Sequence, residues 1–177
     1  ARAGMADGRD MKLYLHIGTE KTGTTSAQKW FAANREALRE RGIVYSKALG
    51  EWNHRGISLL CLENDSGFLE AGARSAEERA RHRALLHRTF HAEVAEAKAE
   101  GAHVFVISNE HCHSRLLLAE QTRRLVELLR PLFSSIEVLC VLRPQVDMAV
   151  SLASTLSRGA ERVDQSFLDS VNPANPY

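Results

Sequence analysis

The residues of this chain that could do chemistry gather in three short stretches. The first is Lys12–Gln28, KLYLHIGTEKTGTTSAQ. Lys21 brings a full positive charge into a segment bounded by Gly18 and Gly23, and Thr24 and Thr25 follow with two hydroxyl donors. Upstream, Leu13, Leu15 and Ile17 alternate with Tyr14 and His16, which is the period of a strand. Downstream, Thr24, Thr25 and Ser26 are residue types that start helices, and Ala27, Trp30, Phe31 and Leu38 supply an apolar face at helical spacing. A strand, a glycine turn and a helix start, in that order, aim backbone N–H groups and the positive helix end at one point. That point suits a phosphate or a sulfate. The second stretch is Ser108–Ser114, SNEHCHS, which carries Glu110 and His111. The third begins at Arg143, where an apolar strand pattern ends, and reaches Ser151 eight residues later.

The register of the first loop decides among anion-binding chemistries. Gly18 and Gly23 fit the opening of the Walker A pattern, but Thr24 stands where its lysine belongs. The lysine sits earlier, at Lys21, so an ordinary ATP or GTP hydrolase would lack its phosphate lysine. Lys21-Thr22-Gly23-Thr24-Thr25 instead resembles the 5′-phosphosulfate-binding loop of sulfotransferases, enzymes that use 3′-phosphoadenosine 5′-phosphosulfate (PAPS) as sulfonyl donor. His16-Ile17-Gly18 before the loop is similar to a bacterial branch of that family. The third stretch resembles it too, through Arg143, Asp147, Ala149, Val150 and Ser151. The resemblance spans Leu13 to about Gly159 and is weak between Ser46 and Ala102.

That resemblance implies roles. Lys21 contacts the 5′-phosphosulfate, and the Thr22–Thr25 backbone with the Thr24 and Thr25 hydroxyls cradles the 5′-phosphate. Arg143 and Ser151 hold the 3′-phosphate, an arginine fork with one more hydroxyl donor. The base that takes the acceptor proton is implied near the end of the strand before the Arg-bearing one, where Glu110 stands. His111 is the second candidate, since imidazole titrates near neutrality unaided. His54 and Glu51 are further ones. PAPS is the expected co-substrate, 3′-phosphoadenosine 5′-phosphate (PAP) the product, and no metal is needed. The acceptor is a small molecule or a carbohydrate. The alternatives are a P-loop small-molecule kinase, which would need Mg²⁺ and ATP, and a PAP-binding fragment without turnover. Family members continue past Gly159 with a basic, Gly-containing loop, and nothing similar follows here, so the chain is expected to be truncated at its C-terminus.

The elements that must position these residues alternate. Strands are expected at Lys12–Gly18, Ile43–Tyr45, His103–Ile107 and Ile136–Leu142. Helices are expected at Thr25–Arg41, Gly56–Glu63, from Ser75 to about Glu100, Leu116–Phe133 and Val146–Arg158. The long helix opens on Ser75-Ala76-Glu77-Glu78, read as a capping box shifted by one, with Leu86, Phe90, Val94 and Ala97 inward. Ser46–Arg55 and Ser108–Ser114 are expected loops, as is 64–74. This is an α/β pattern with a parallel sheet flanked by helices, and the resemblance adds a P-loop NTPase-like three-layer sandwich. Ligands in such sheets bind beyond the carboxyl ends of the strands.

Composition narrows the class. The chain has 177 residues, enough for one domain from residue 11 onward, and residues 1–10 are expected to be a flexible leader or, before Met5, a cloning scar. Lys and Arg number 23 against 22 Asp and Glu, so a nucleic-acid binder is disfavoured and any anion site must be local. Three cysteines, Cys61, Cys112 and Cys140, fit a reducing compartment and hence the cytoplasm, and Cys140 is expected in the core. No apolar run is long enough to span a membrane. His111-Cys112-His113 lacks the second cluster a zinc site needs. His87 and His91 are spaced i, i+4 without the glutamate of a zinc-protease helix.

Overall fold

The computed structural model describes residues 11–62 and 75–158. The expected 64–74 loop, the leader and the polar C-terminal stretch lie outside the described residues. Four strands form one sheet: β1 Lys12–Gly18, β2 Ile43–Tyr45, β3 Val104–Ser108 and β4 Ser135–Cys140. All pair in parallel, in the order β2-β3-β1-β4. The helices between them are α1 Thr24–Ala33, α2 Arg35–Arg39, α3 Arg55–Cys61, α4 Ala76–Ala99, α5 His111–Arg115, α6 Ala119–Leu129 and α7 Gln145–Arg158.

This order creates a switch point. The chain leaves β1 toward β2 in one direction and leaves β3 toward β4 in the other. Right-handed crossovers then send α1 and α2 to one face and α3 to α6 to the opposite face. Packing of α3 against α4, α5 and α6 agrees with that assignment. The loops leaving β1 and β3 therefore part, and a crevice opens between the carboxyl ends of these adjacent strands.

The core lies on the α3–α6 face. Leu13 and Leu15 of β1 and Phe105 and Ile107 of β3 point into it, against Phe90, Val94 and Ala97 of α4 and Leu125 and Leu129 of α6. Phe105 meets Phe90 and Phe133 at ring distances of 6.3 and 5.4 Å. The capping box of α4 is in register, not shifted: Ser75 accepts from the Glu78 N–H, and the Glu78 carboxylate accepts from the Ser75 N–H.

Several expectations need correction. The first helix is two, broken at Asn34, whose side chain donates to the Trp30 carbonyl. Its inward stripe is not Ala27 and Trp30. Trp30 is 57% exposed, while Thr24 and Gln28 are buried, because this face meets polar partners. Residues 111–115 are helical, since Asn109 turns the chain by accepting from the His111 N–H. The following helix starts at Ala119, leaving Leu118 half-exposed. Cys140 is exposed, as are Val138 and Leu139, because β4 is the edge strand of the described sheet. No described helix is long and apolar enough to cross a membrane.

Phe105 is fully buried on the inner strand β3. Phe105→Ala is expected to cost about 3–5 kcal/mol, read as a lowered urea midpoint with an unchanged slope.

Candidate functional site

The loop after β1 is fixed by its neighbour strand. The Val141 N–H donates to the Gly18 carbonyl at 2.6 Å, and the Thr19 N–H donates to the Val141 carbonyl at 2.8 Å. The Thr22 hydroxyl closes the turn on the Thr19 carbonyl at 2.7 Å. Lys21 and Gly23 follow with φ of 63° and 82°, curling the backbone back toward α1. That region costs a lysine roughly 1 kcal/mol or more. The Arg143 guanidinium holds it there by donating to the Lys21 carbonyl at 2.7 Å. The N–H groups of Thr24 and Thr25, in the first turn of α1, have no intrahelical acceptor and carry the positive helix end.

These groups wall a cavity of about 440 Å³. Lys21, Gly23, Thr24 and Thr25 line it from the first stretch, Glu110 and His111 from the second, and Arg143 and Ser151 from the third. Three segments up to 130 residues apart in the chain thus meet where the topology opens the crevice. Of the residues Lys21–Thr25, Thr22 alone is not on the wall, its hydroxyl being used inside the loop. Glu20 also lines the cavity, with its Oε1 3.8 Å from His111 Nδ1.

Glu110 sits where β1 and β3 come closest. A Cβ on Gly18 would stand 3.3 Å from both Cα and Cβ of Glu110, and Gly18 has φ 114°. Only glycine lets the two chain segments touch this way. The Glu110 carboxylate is held at both oxygens. Gln28 of α1, fully buried, donates to Oε2 at 2.8 Å, and Asn53 donates to Oε1 at 2.9 Å. Gln28 also donates to the Ser108 hydroxyl at 3.1 Å, which bonds His16 Nδ1 at 2.8 Å. Burial lowers the His16 pKa, against a raising pull from the Glu110 charge. Each carboxylate oxygen keeps a lone pair after these bonds.

A second cavity of about 390 Å³ adjoins, lined by Glu51, Trp52, Asn53 and Arg55 and again by Glu110 and His111. Its loop, 46–54, hangs from two side chains. Arg35 donates to the carbonyls of Tyr45, Ser46, Gly50 and Glu51. Glu93 of α4 accepts from the Ser46 hydroxyl and the Lys47 N–H at 2.6 Å each and from the Ala48 N–H at 3.3 Å.

His54, weighed as a base, is excluded from that role. It is fully buried, lines neither cavity, and its Nδ1 accepts from the Ser108 N–H at 3.0 Å. Among the described residues no group of three or more His, Cys, Asp and Glu is arranged to hold a metal. Cys112 is buried and His113 points outward, so the His111-Cys112-His113 cluster is split. Sequence reasoning missed Gln28, Asn53 and Arg115, the last also on the larger cavity's wall. Gln28 could have been noticed as a polar residue at i+4 from Thr24 on the helix that follows the loop.

Comparison of the chain with protein-family models, with curated proteins and with solved structures finds no match. What the site can do is read from its own residues.

Burial pushes the His54 pKa from 6.5 down to about 3. The folded state therefore resists protonating it while the unfolded chain does not. Stability is unaffected above pH 6.5 and is lost as pH falls from there toward 3, by up to ~1.4 kcal/mol per unit. His54→Asn, which keeps an acceptor for Ser108, should flatten the urea midpoint against pH over that window relative to the parent. Gly18→Ala should cost about 1–3 kcal/mol through its positive φ and the Glu110 contact, seen in the same denaturation series.

Proposed function

We propose that this chain binds PAPS in the larger cavity and transfers its sulfonyl group to an acceptor hydroxyl. The observation that carries this reading is the convergence of Lys21, Arg143, Ser151 and Glu110 on one cavity. The first three are donors matched to a doubly phosphorylated nucleotide, and the fourth is a carboxylate aimed by two amides. The residue-level resemblance to the sulfotransferase loop supports the donor. So does the register of Lys21, which stands before Gly23 and not after it.

Lys21 and the first turn of α1 would draw the 5′-phosphosulfate and stabilise charge on the leaving phosphate. Arg143 and Ser151 would take the 3′-phosphate, the group that separates this donor from ATP. In the step itself the acceptor O–H proton passes to a Glu110 oxygen. The acceptor oxygen bonds to sulfur, and the bond from sulfur to the 5′-phosphate oxygen breaks. That oxygen leaves on PAP, and nothing is oxidised or reduced. Gln28 and Asn53 keep the carboxylate at a fixed angle while the proton moves.

Calorimetric titration with PAP, and with ATP plus Mg²⁺, tests the donor. PAP is expected to bind much more tightly than ATP. Arg143→Ala should remove about 1.5–3 kcal/mol of PAP binding, a loss of roughly ten- to a hundredfold. ATP binding preferred over PAP and dependent on Mg²⁺ would point to a phosphoryl-transfer enzyme instead. Glu110→Ala should lower turnover about 10²–10⁴-fold with no loss of PAP affinity. Unchanged turnover in that variant would remove Glu110 from the mechanism and leave His111 and Glu51 as the candidate bases.

A further inference from the structure

The two cavities share Glu110 and His111, so the same carboxylate is reachable from both. Asn53, a wall of the smaller cavity, holds its Oε1, and Gln28 from the donor-side helix holds its Oε2. The smaller cavity is therefore placed for the group whose proton Glu110 would take. Its remaining walls specify that group's chemistry. Trp52 is 37% exposed, and the Lys29 ammonium lies 5.7 Å from its ring centroid, which steadies the indole. Trp52 is the one large apolar surface in the lining, and the others are Glu51, Asn53, Arg55, Glu110 and His111. Glu51 and Glu110 oppose an anionic occupant. A greasy phenol or sterol would leave these polar groups facing apolar surface. A neutral sugar fits all of them. Its hydroxyls donate to the carboxylates, while its C–H face lies on indole.

Resting on the donor reading above, we propose that the smaller cavity takes a neutral carbohydrate, ring against Trp52, and presents one sugar hydroxyl to Glu110. The test is saturation-transfer NMR of the whole chain with maltose, lactose and cellobiose. 4-Nitrophenol serves as the contrasting probe, and PAP affinity is measured in parallel by calorimetry. At least one disaccharide should bind. Trp52→Ala should weaken it by about tenfold or more, and Trp52→Phe should stay within about threefold. PAP affinity should be the same in all three proteins. The truncation keeps the backbone tie, since the Trp52 carbonyl accepts from the Tyr45 hydroxyl at 2.7 Å. Unchanged PAP binding reports that directly. Disaccharide binding indifferent to Trp52→Ala would overturn the location. Binding of 4-nitrophenol with no disaccharide, or of none of the probes, would overturn the class. Disaccharide binding without any PAP binding would overturn the acceptor role and leave a sugar-binding cavity.

Discussion

Everything in this site depends on one close approach, that of Gly18 to Glu110. Two adjacent parallel strands end side by side and their loops must diverge to opposite faces of the sheet. Where they part, backbone meets backbone with no room for a side chain between. That contact puts the Lys21 loop after β1 and the carboxylate of the β3 loop on the walls of one cavity. Moving either strand end by the width of a methyl group would separate the positive loop from the carboxylate it faces. The edge strand β4 completes the arrangement from the other side. It bonds the Gly18–Thr19 peptide through Val141, and it delivers Arg143 to the back of the loop.

Gln28 joins these parts. It stands on the helix that follows the Lys21 loop, and its amide reaches the end of β3 and the carboxylate of Glu110. A buried amide in that place is a strong constraint, because losing either partner would leave a polar group unsatisfied away from water. The helix is thereby locked in rotation about its axis. The face that a hydrophobic reading would turn inward, with Trp30, is turned to solvent instead.

The sheet was legible in the sequence because parallel strands and their flanking glycines leave a strong local signal. Leu13, Leu15 and Ile17 before Gly18 mark β1, and Ile43–Val44–Tyr45 matches β2 residue for residue. Lys21, Thr24 and Thr25 stand out because they belong to a short local pattern beside a strand end, whereas Arg143, Ser151 and Glu110 are picked out only by the resemblance to the sulfotransferase pattern. What stayed hidden was long-range. Asn53 holds Glu110 across 57 positions and Gln28 across 82, and no local period encodes such pairings. Likewise, nothing local separates His54, sealed beneath the Tyr45 ring at 4.3 Å, from a histidine that faces a ligand. Cys140 was misplaced because an apolar strand reads the same at the edge of a sheet as at its centre.

The suspension of the 46–54 loop from Arg35 and Glu93 separates two design problems that most binding sites share. One guanidinium and one carboxylate, anchored on helices outside the Lys21 loop, gather the first carbonyls and N–H groups of 46–54. Those bonds are to backbone or to Ser46, so the side chains of Glu51 and Trp52 can be exchanged without removing them. The smaller cavity is thus an exchangeable cassette on a constant chassis. Divergent copies of such a chain could change the chemistry of that cavity's wall by rewriting a handful of codons, leaving the Lys21 loop untouched. A library confined to these positions is a rational starting point for redirecting its selectivity.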